Sequence, residues 1–154
     1  MPNFLADAAP DMWDQFNNYV SSVQTYSDLS PDLDVRQQVN RHLRRRRALK
    51  IEAWCSAFHQ ATAAQPSLLQ FIYVVFQQYS GLDFSRVRPQ DRLIEDLRFP
   101  LVCWFDWTTH FCDDFIAQFG VDLSDSFDEA EFSTLAEVII FLQAQVAQAM
   151  PSHG

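Results

Sequence analysis

The sequence has little glycine, few cysteines and no long apolar run. It holds 3 glycines and 7 prolines in 154 residues, while 48% of its residues are hydrophobic. This composition is too apolar for a disordered chain, so we expect a folded core. The apolar run at residues 71–76 is far too short to cross a bilayer, and the first residues lack the basic and apolar regions of a signal peptide. We therefore expect neither a membrane span nor export.

Cysteine is too scarce to form a disulfide framework. Cys55, Cys103 and Cys112 make no CxxC pair and leave an odd number. Such a pattern argues against a secreted disulfide-rich protein and favours a reducing compartment. We therefore expect a cytoplasmic protein.

Basic residues are absent from the last third of the chain. Residues 99–154 carry nine Asp and Glu and no Lys or Arg, whereas residues 1–98 carry 11 acids and 11 bases, so the net charge of -9 falls in the last third. An acidic surface attracts basic partners and repels nucleic acid. We therefore expect a basic protein partner, and nucleic acid is disfavoured.

The first 65 residues predict helices with an unusual basic segment. Apolar residues recur every three or four positions in residues 11–26, which predicts an amphipathic helix. Pro31 or Asp32 can open a second helix that reaches about Ala63. Such a helix is long for a globular protein, so it is either continuous or broken near the arginines. Its middle carries the basic patch Arg41, Arg44, Arg45, Arg46, Arg47 and Lys50.

The remaining chain predicts further helices and no strands. A wide apolar face begins after Pro66 and ends at Gly81, and a long ordered loop over residues 82–102 follows. A helix at about residues 104–118 would end at Gly120, and an acidic connector with room for a short helix leads to the last helix. A capping box of Thr134 and Glu137 opens that helix. We predict an all-α protein with a helical extension at residues 1–65 and a helical domain at residues 66–154.

Three motifs appear in one order in the second half. They are QDRLIEDL at residues 90–97, FGVDL at residues 119–123 and FSTLAEV at residues 132–138. In this order and spacing, residues 67–146 resemble the acyl carrier protein family. The resemblance covers about half of the chain and implies an acyl-carrier-like four-helix bundle.

The residue that makes such a protein a carrier is missing. The family attaches phosphopantetheine to a serine that opens its second helix. Counting back from Phe119 by the family's spacing reaches Phe105, and no serine lies between Ser85 and Ser124. Thr108 and Thr109 lie about one turn inside the predicted helix and are poor substitutes. We therefore expect no cofactor, and the chain is similar to small acidic bacterial acyl-carrier-like proteins that lack the attachment motif.

Three groups of residues contain side chains of the kinds found in metal sites or catalytic sites. Cys103, His110 and Cys112, with Asp106 or Asp113, contain ligand types that zinc prefers, but ligands crowded on one helix cannot surround an ion tetrahedrally. Asp106 and His110 are four residues apart, which fits a surface pair on a helix better than an acid–base pair. Ser133 and Thr134 fit a helix cap better than a nucleophile. We expect neither a metal site nor enzymatic activity.

The basic patch has three interpretations. It can pack against the acidic helices of this chain or of a second copy, remain solvated, or bind an external polyanion. Four consecutive arginines on a helix would point in all directions. The first interpretation is the one that we favour.

An aromatic cluster lies beside the acids. Phe99, Leu101, Val102, Trp104, Phe105 and Trp107 flank Pro100. We expect at least half of this cluster in the core and the rest in a docking patch. In the resulting hypothesis the protein is a non-catalytic adaptor or regulator whose partner-binding residues are Trp104, Phe105, Asp106, Trp107, Asp113 and Asp114. The N-terminal helices complete its core or form a homodimer.

A second hypothesis uses the same acidity. A small acidic immunity or inhibitor protein would block a basic toxin or nuclease by mimicking a polyanion. High acidity without a catalytic motif fits both hypotheses. They differ in whether binding stops an activity.

Overall fold

The computed structural model describes residues 30–149, and within this range every regular element is helical. The predicted all-α class is confirmed. The helices are α1 (Leu33–Leu43), α2 (Ile51–Thr62), α3 (Pro66–Ser80), α4 (Phe99–Val102), α5 (Trp107–Phe119) and α6 (Leu135–Ala149), with 3-10 turns at Phe84–Arg86 and Glu129–Glu131. None of the helices in this range is both long and apolar enough to span a membrane. The helix predicted at residues 11–26 lies outside the described residues.

The predicted second helix is broken at the arginines. Asp32 caps α1 by accepting the N–H of Val35 at 3.1 Å, and α1 ends at Leu43. Residues 44–50 form a loop before α2 begins at Ile51. The N–H of Leu49 donates to the carbonyl of Ser85 at 2.9 Å instead of to a helical carbonyl. The break therefore follows from contacts that the loop makes with a distant part of the chain.

The helices on both sides of residue 65 belong to one compact unit. From Asp32 onward the described residues form a single unit, in which α2 packs against α3 and α6 and α1 packs against α4. Large aromatic side chains fill the core. They include Trp54, Phe58, Phe76, Phe84, Phe99, Phe111 and Phe115. The role of residues 1–65 as an extension of a carrier-like domain stays a prediction.

Helix α3 has the face and the ends that its sequence predicts. Pro66 occupies its first turn, where a missing N–H costs nothing. The predicted apolar face is buried at Leu68, Leu69, Ile72, Val75 and Phe76. Gly81 ends the helix at a φ of 68°, and a Cβ there would meet the Cδ atom of Arg36 at 2.7 Å. The positive φ therefore favours glycine here, and any larger residue would also displace the Arg36 side chain.

The predicted long loop contains more structure than we expected. Besides the turn at Phe84–Arg86, residues 99–102 form the short helix α4. The loop also lies against the start of α6, because the N–H of Leu135 donates to the carbonyl of Asp91 at 2.8 Å and that of Ala136 to the carbonyl of Pro89 at 3.0 Å. These bonds satisfy donors that a helix start leaves unpaired.

The predicted capping box at the start of α6 is present. The N–H of Glu137 donates to the Thr134 hydroxyl at 3.2 Å, and the N–H of Thr134 donates to the Glu137 carboxylate at 3.0 Å. The predicted apolar face of this helix is buried at Leu135, Val138, Ile139, Leu142 and Val146.

Candidate protein-binding surface

The segment before α5 exposes aromatic rings between two buried positions. Val102 and Trp107 are 0% and 2% exposed, whereas Trp104 is 41% and Phe105 is 62% exposed. Leu101 is also exposed. Because the residues on both sides are anchored in the core, the short segment between them is held at the surface. Half of the aromatic cluster is therefore core, and the other half forms a surface patch.

Trp107 lies in the core. Its ring contacts those of Phe76 and Phe99, with centroids 5.7 and 5.3 Å apart. Its Nε1 donates to the carboxylate of Glu129 at 3.2 Å. Burial raises the pKa of Glu129, and the hydrogen bond from Trp107 opposes that rise. Trp107 therefore stabilises the start of α5 and does not contribute a surface anchor.

The exposed face of α5 combines apolar side chains with an unpaired carboxylate. Within α5, Thr109, Asp113 and Ile116 are four and three residues apart, so they share one side, and Phe105 is an exposed residue two positions before the helix begins. Ile116 is 43% exposed. The carboxylate of Asp113 forms no hydrogen bond or ion pair with any residue in the range 30–149. We call Phe105, Thr109, Asp113 and Ile116 the α5 face.

The two other predicted acids are already in use. Asp106 lies 3.3 Å from Nε2 of His110, and both side chains are exposed, as expected for a pair on a helix surface. Asp114 accepts a hydrogen bond from the hydroxyl of Tyr79. Burial raises the pKa of Tyr79 and this bond raises it further. Asp114 therefore ties α5 to α3, a contact that the sequence did not reveal.

The cysteines near α5 are buried and apart from His110. Cys103 and Cys112 lie in the core, whereas His110 is exposed. Burial raises the pKa of both thiols, so they act as small apolar groups. Within the described range, no three His, Cys, Asp or Glu side chains are grouped to hold a metal ion.

One arginine of the basic patch is bound to a buried carboxylate. Arg46 donates through Nη1 and Nη2 to the two oxygens of Asp91 at 2.6 and 2.7 Å. This bond raises the pKa of Arg46. Asp91 is 5% exposed and also accepts the N–H of Arg88 at 2.7 Å. Asp91 therefore holds the loop after α1 against the loop before α4.

The other residues of the basic patch form no ion pair with an acid in the range 30–149. Arg41, Arg44, Arg45, Arg47 and Lys50 are exposed. The Arg–carboxylate pairs in the described range are Arg46–Asp91, Arg86–Asp83 and Arg92–Asp96, and none of them uses an acid from residues 99–149. In this part of the chain, the patch therefore forms no ion pair with the acidic helices, against which our favoured interpretation would pack it. A second copy, a solvated surface and an external polyanion remain as alternatives.

Comparisons with known proteins give no family. No protein-family model, no curated protein and no solved structure matches the chain. The resemblance to acyl carrier proteins therefore rests on the motifs in the sequence.

Proposed function

We propose that this protein is a non-catalytic adaptor or regulator that docks a basic protein on the α5 face. One observation carries the proposal. Phe105 is 62% exposed just before α5 begins, at the position that corresponds to the carrier family's attachment serine. A carrier would present its prosthetic group there, whereas this chain presents an aromatic ring.

The order of the helices supports an acyl-carrier-like framework for this surface. Helix α3 is followed by a long loop, α5, the turn Glu129–Glu131 and α6. Acyl carrier proteins have a long first helix, a long loop, a second helix, a short third helix and a fourth helix. We propose that α3, α5, the turn Glu129–Glu131 and α6 are the equivalent elements, that α4 lies within the long loop, and that α1 and α2 are an addition to them.

The chemistry of the α5 face fits a protein partner. Burial of one Phe or Ile side chain contributes about 1.5–3 kcal/mol, so Phe105 and Ile116 can anchor a complex. Asp113 lies between them and can pair with a basic group, while the surrounding acids speed the encounter. Apolar anchors with an acidic rim are the arrangement that a basic, partly apolar protein surface would complement.

Removal of charge from α5 tests the proposal. The variant Asp106→Asn, Asp113→Asn, Asp114→Asn removes three charges and keeps an acceptor for Tyr79. We expect the protein that co-purifies with the wild type to bind this variant more weakly and with less dependence on salt. The control Asp122→Asn, Asp125→Asn, Glu131→Gln removes three exposed charges elsewhere and should bind as the wild type does. Equal binding of wild type and α5 variant at low salt would exclude α5 from the interface.

Intact mass tests the loss of carrier activity. The protein is co-expressed with a phosphopantetheinyl transferase of broad specificity. We expect the unmodified mass, because α5 carries no serine; its first turn holds Thr108 and Thr109, which are poor substitutes for the attachment serine. A gain of one phosphopantetheine would show that the protein is a working carrier.

A second proposed function is inhibition by polyanion mimicry. One observation favours it: within residues 30–149, no acid after residue 98 is paired with a lysine or arginine. The exposed ones among these acids would enter the basic cleft of a toxin or nuclease. An enzymatic assay of the captured partner separates the two proposals, because an inhibitor stops the partner's activity and an adaptor does not.

A further inference from the structure

The loop that carries the basic patch is held in place by two arginines from another part of the chain, Arg86 and Arg88. Arg86 donates through Nη1 to the carbonyls of Arg44 and Arg46, and Arg88 donates through Nη2 to the carbonyl of Arg47. The loop's backbone carbonyls are therefore engaged by the segment at residues 85–88. We call residues 44–47 the arginine loop. Its conformation is set by these bonds and by the Arg46–Asp91 pair, without any ligand.

Positive charge is concentrated around the arginine loop despite the negative charge of the chain. The guanidinium groups of Arg46, Arg86 and Arg88 are close together; Arg46 is bound to Asp91 and Arg86 to Asp83, whereas the guanidinium group of Arg88 donates only to carbonyls. Burial lowers the pKa of Arg88, and the neighbouring charge of Arg46 lowers it further. Like charges repel, so this cluster would be stabilised by an anion.

Three guanidinium groups of the arginine loop are available to such an anion. Arg44, Arg45 and Arg47 are exposed, and their side chains have no hydrogen bond or ion pair within the described range. A guanidinium group donates two parallel hydrogen bonds to a phosphate. Because the backbone is already fixed, little additional order is needed for binding.

A protein surface is a poor occupant for the arginine loop. The exposed large hydrophobic residues of the described range are Leu33, Val74, Leu101, Trp104, Phe105, Ile116 and Ile140, and none lies between residues 34 and 73. Exposed ion pairs contribute little to binding without an apolar anchor. A second copy docked by charge alone would therefore be held weakly, whereas a phosphate ligand needs no apolar anchor.

The acids around the arginine loop limit the size of the anion. Glu52 at the start of α2, and Glu95 and Asp96 before α4, are exposed, and Asp96 is close enough to Arg46 to raise its pKa. A long polyanion that continued past the loop would meet these carboxylates. We propose that the arginine loop binds a compact polyphosphate through Arg44, Arg45 and Arg47, either inorganic or as the phosphate chain of a nucleotide.

A neighbouring cavity does not compete with this placement. A cavity of about 370 Å³ lies beside Arg46 and is also lined by Asp91, Glu95 and Asp96. His42 and Arg98 also line it, but its carboxylates outnumber its arginines, so the cavity offers a phosphate no excess of positive charge. The polyphosphate therefore binds on the exposed side of the loop, where the guanidinium groups have no neutralising acid.

Calorimetric titration of the full chain with sodium triphosphate at low salt tests the proposal. We expect the wild type to bind, and Arg45→Gln, Arg47→Gln to lose about tenfold or more in affinity because charge-assisted contacts are removed. The control Arg92→Gln, Arg98→Gln removes two charges from nearby positions and should bind as the wild type does. Thermal melts of both variants confirm that they fold. A nucleoside triphosphate that binds as tightly or more tightly supports the proposal and identifies the nucleotide as the source of the phosphates.

Four results would overturn the proposal. One is the absence of triphosphate binding by the folded wild type, and another is equal weakening in the control variant. Tighter binding of a single-stranded oligonucleotide than of triphosphate, lost in Arg45→Gln, Arg47→Gln, would assign the loop to nucleic acid. Concentration-dependent association that is lost in the same variant would assign it to a second copy.

Discussion

The arginine loop and the α5 face both present unpaired charge, but they hold it in different ways. The loop is irregular and is fixed by arginines that donate to its carbonyls, and no exposed apolar residue accompanies its charge. The α5 face lies on a regular helix, and its carboxylate lies between Phe105 and Ile116. A charge without an apolar neighbour suits a small hydrated anion, whereas a charge between apolar anchors suits a protein. The same kind of feature, unpaired charge, thus leads to two different proposals.

The largest expected difference is in the free energy of unfolding, between variants of Trp107 and of Phe105, the two aromatic residues adjacent to Asp106. Trp107→Ala removes a core ring and its bond to Glu129, so the free energy of unfolding should fall by about 3–5 kcal/mol. Phe105→Ala removes an exposed ring and should change it by no more than about 0.5 kcal/mol. Urea denaturation of both variants measures the difference. Similar losses would mean that Phe105 is also a core residue, and the α5 face would lose its anchor.

A smaller effect should distinguish the buried carboxylate below the arginine loop from an exposed one nearby. Asp91→Ala leaves Arg46 and the N–H of Arg88 without their acceptor, and should cost about 2–4 kcal/mol. Asp96→Ala breaks an exposed pair with Arg92 and should cost at most about 1 kcal/mol. Chemical denaturation at neutral pH compares them. If Asp91→Ala lowered the free energy of unfolding no more than Asp96→Ala does, the Arg46–Asp91 pair would not be what fixes the loop.

The smallest effect concerns the pH dependence of stability that comes from Glu129, the acid that accepts a hydrogen bond from Trp107. Because the pKa of Glu129 is raised in the folded protein, its ionisation opposes folding. This cost is absent below the unfolded pKa and is complete above the folded pKa. Glu129→Gln keeps an acceptor for Trp107, so it should be more stable than the wild type at neutral pH and lose this advantage in acid. A difference that is the same at both pH values would assign the effect to packing.

Features set by neighbours in the sequence could be predicted. The apolar faces of α3 and α6, the glycine ends at Gly81 and Gly120, and the capping box of Thr134 and Glu137 depend on residues within one or two turns. All of them are present. Their physical causes are local, so a single sequence contains them.

Features set by distant residues could not be predicted. The arginine run contains four candidates for an ion pair, and only the packing of two loops makes Arg46 the partner of Asp91, 45 residues away. Trp104, Phe105 and Trp107 all follow Pro100 closely, and the sequence alone does not separate them. In the structure the helix begins at Trp107. The Trp107 ring is buried in the core, whereas Trp104 and Phe105 lie before the helix and are exposed.

The most direct test of the proposed docking surface is site-specific photo-crosslinking. A photoreactive amino acid replaces Phe105 in one protein and Ile140 in another, since Ile140 lies on α6 and is 48% exposed. After irradiation in cells, we predict one discrete adduct with a basic protein at position 105, none at position 140, and loss of the adduct when Asp106, Asp113 and Asp114 are changed to Asn. Equal labelling at both positions, or a discrete adduct at position 140 alone, would contradict the account.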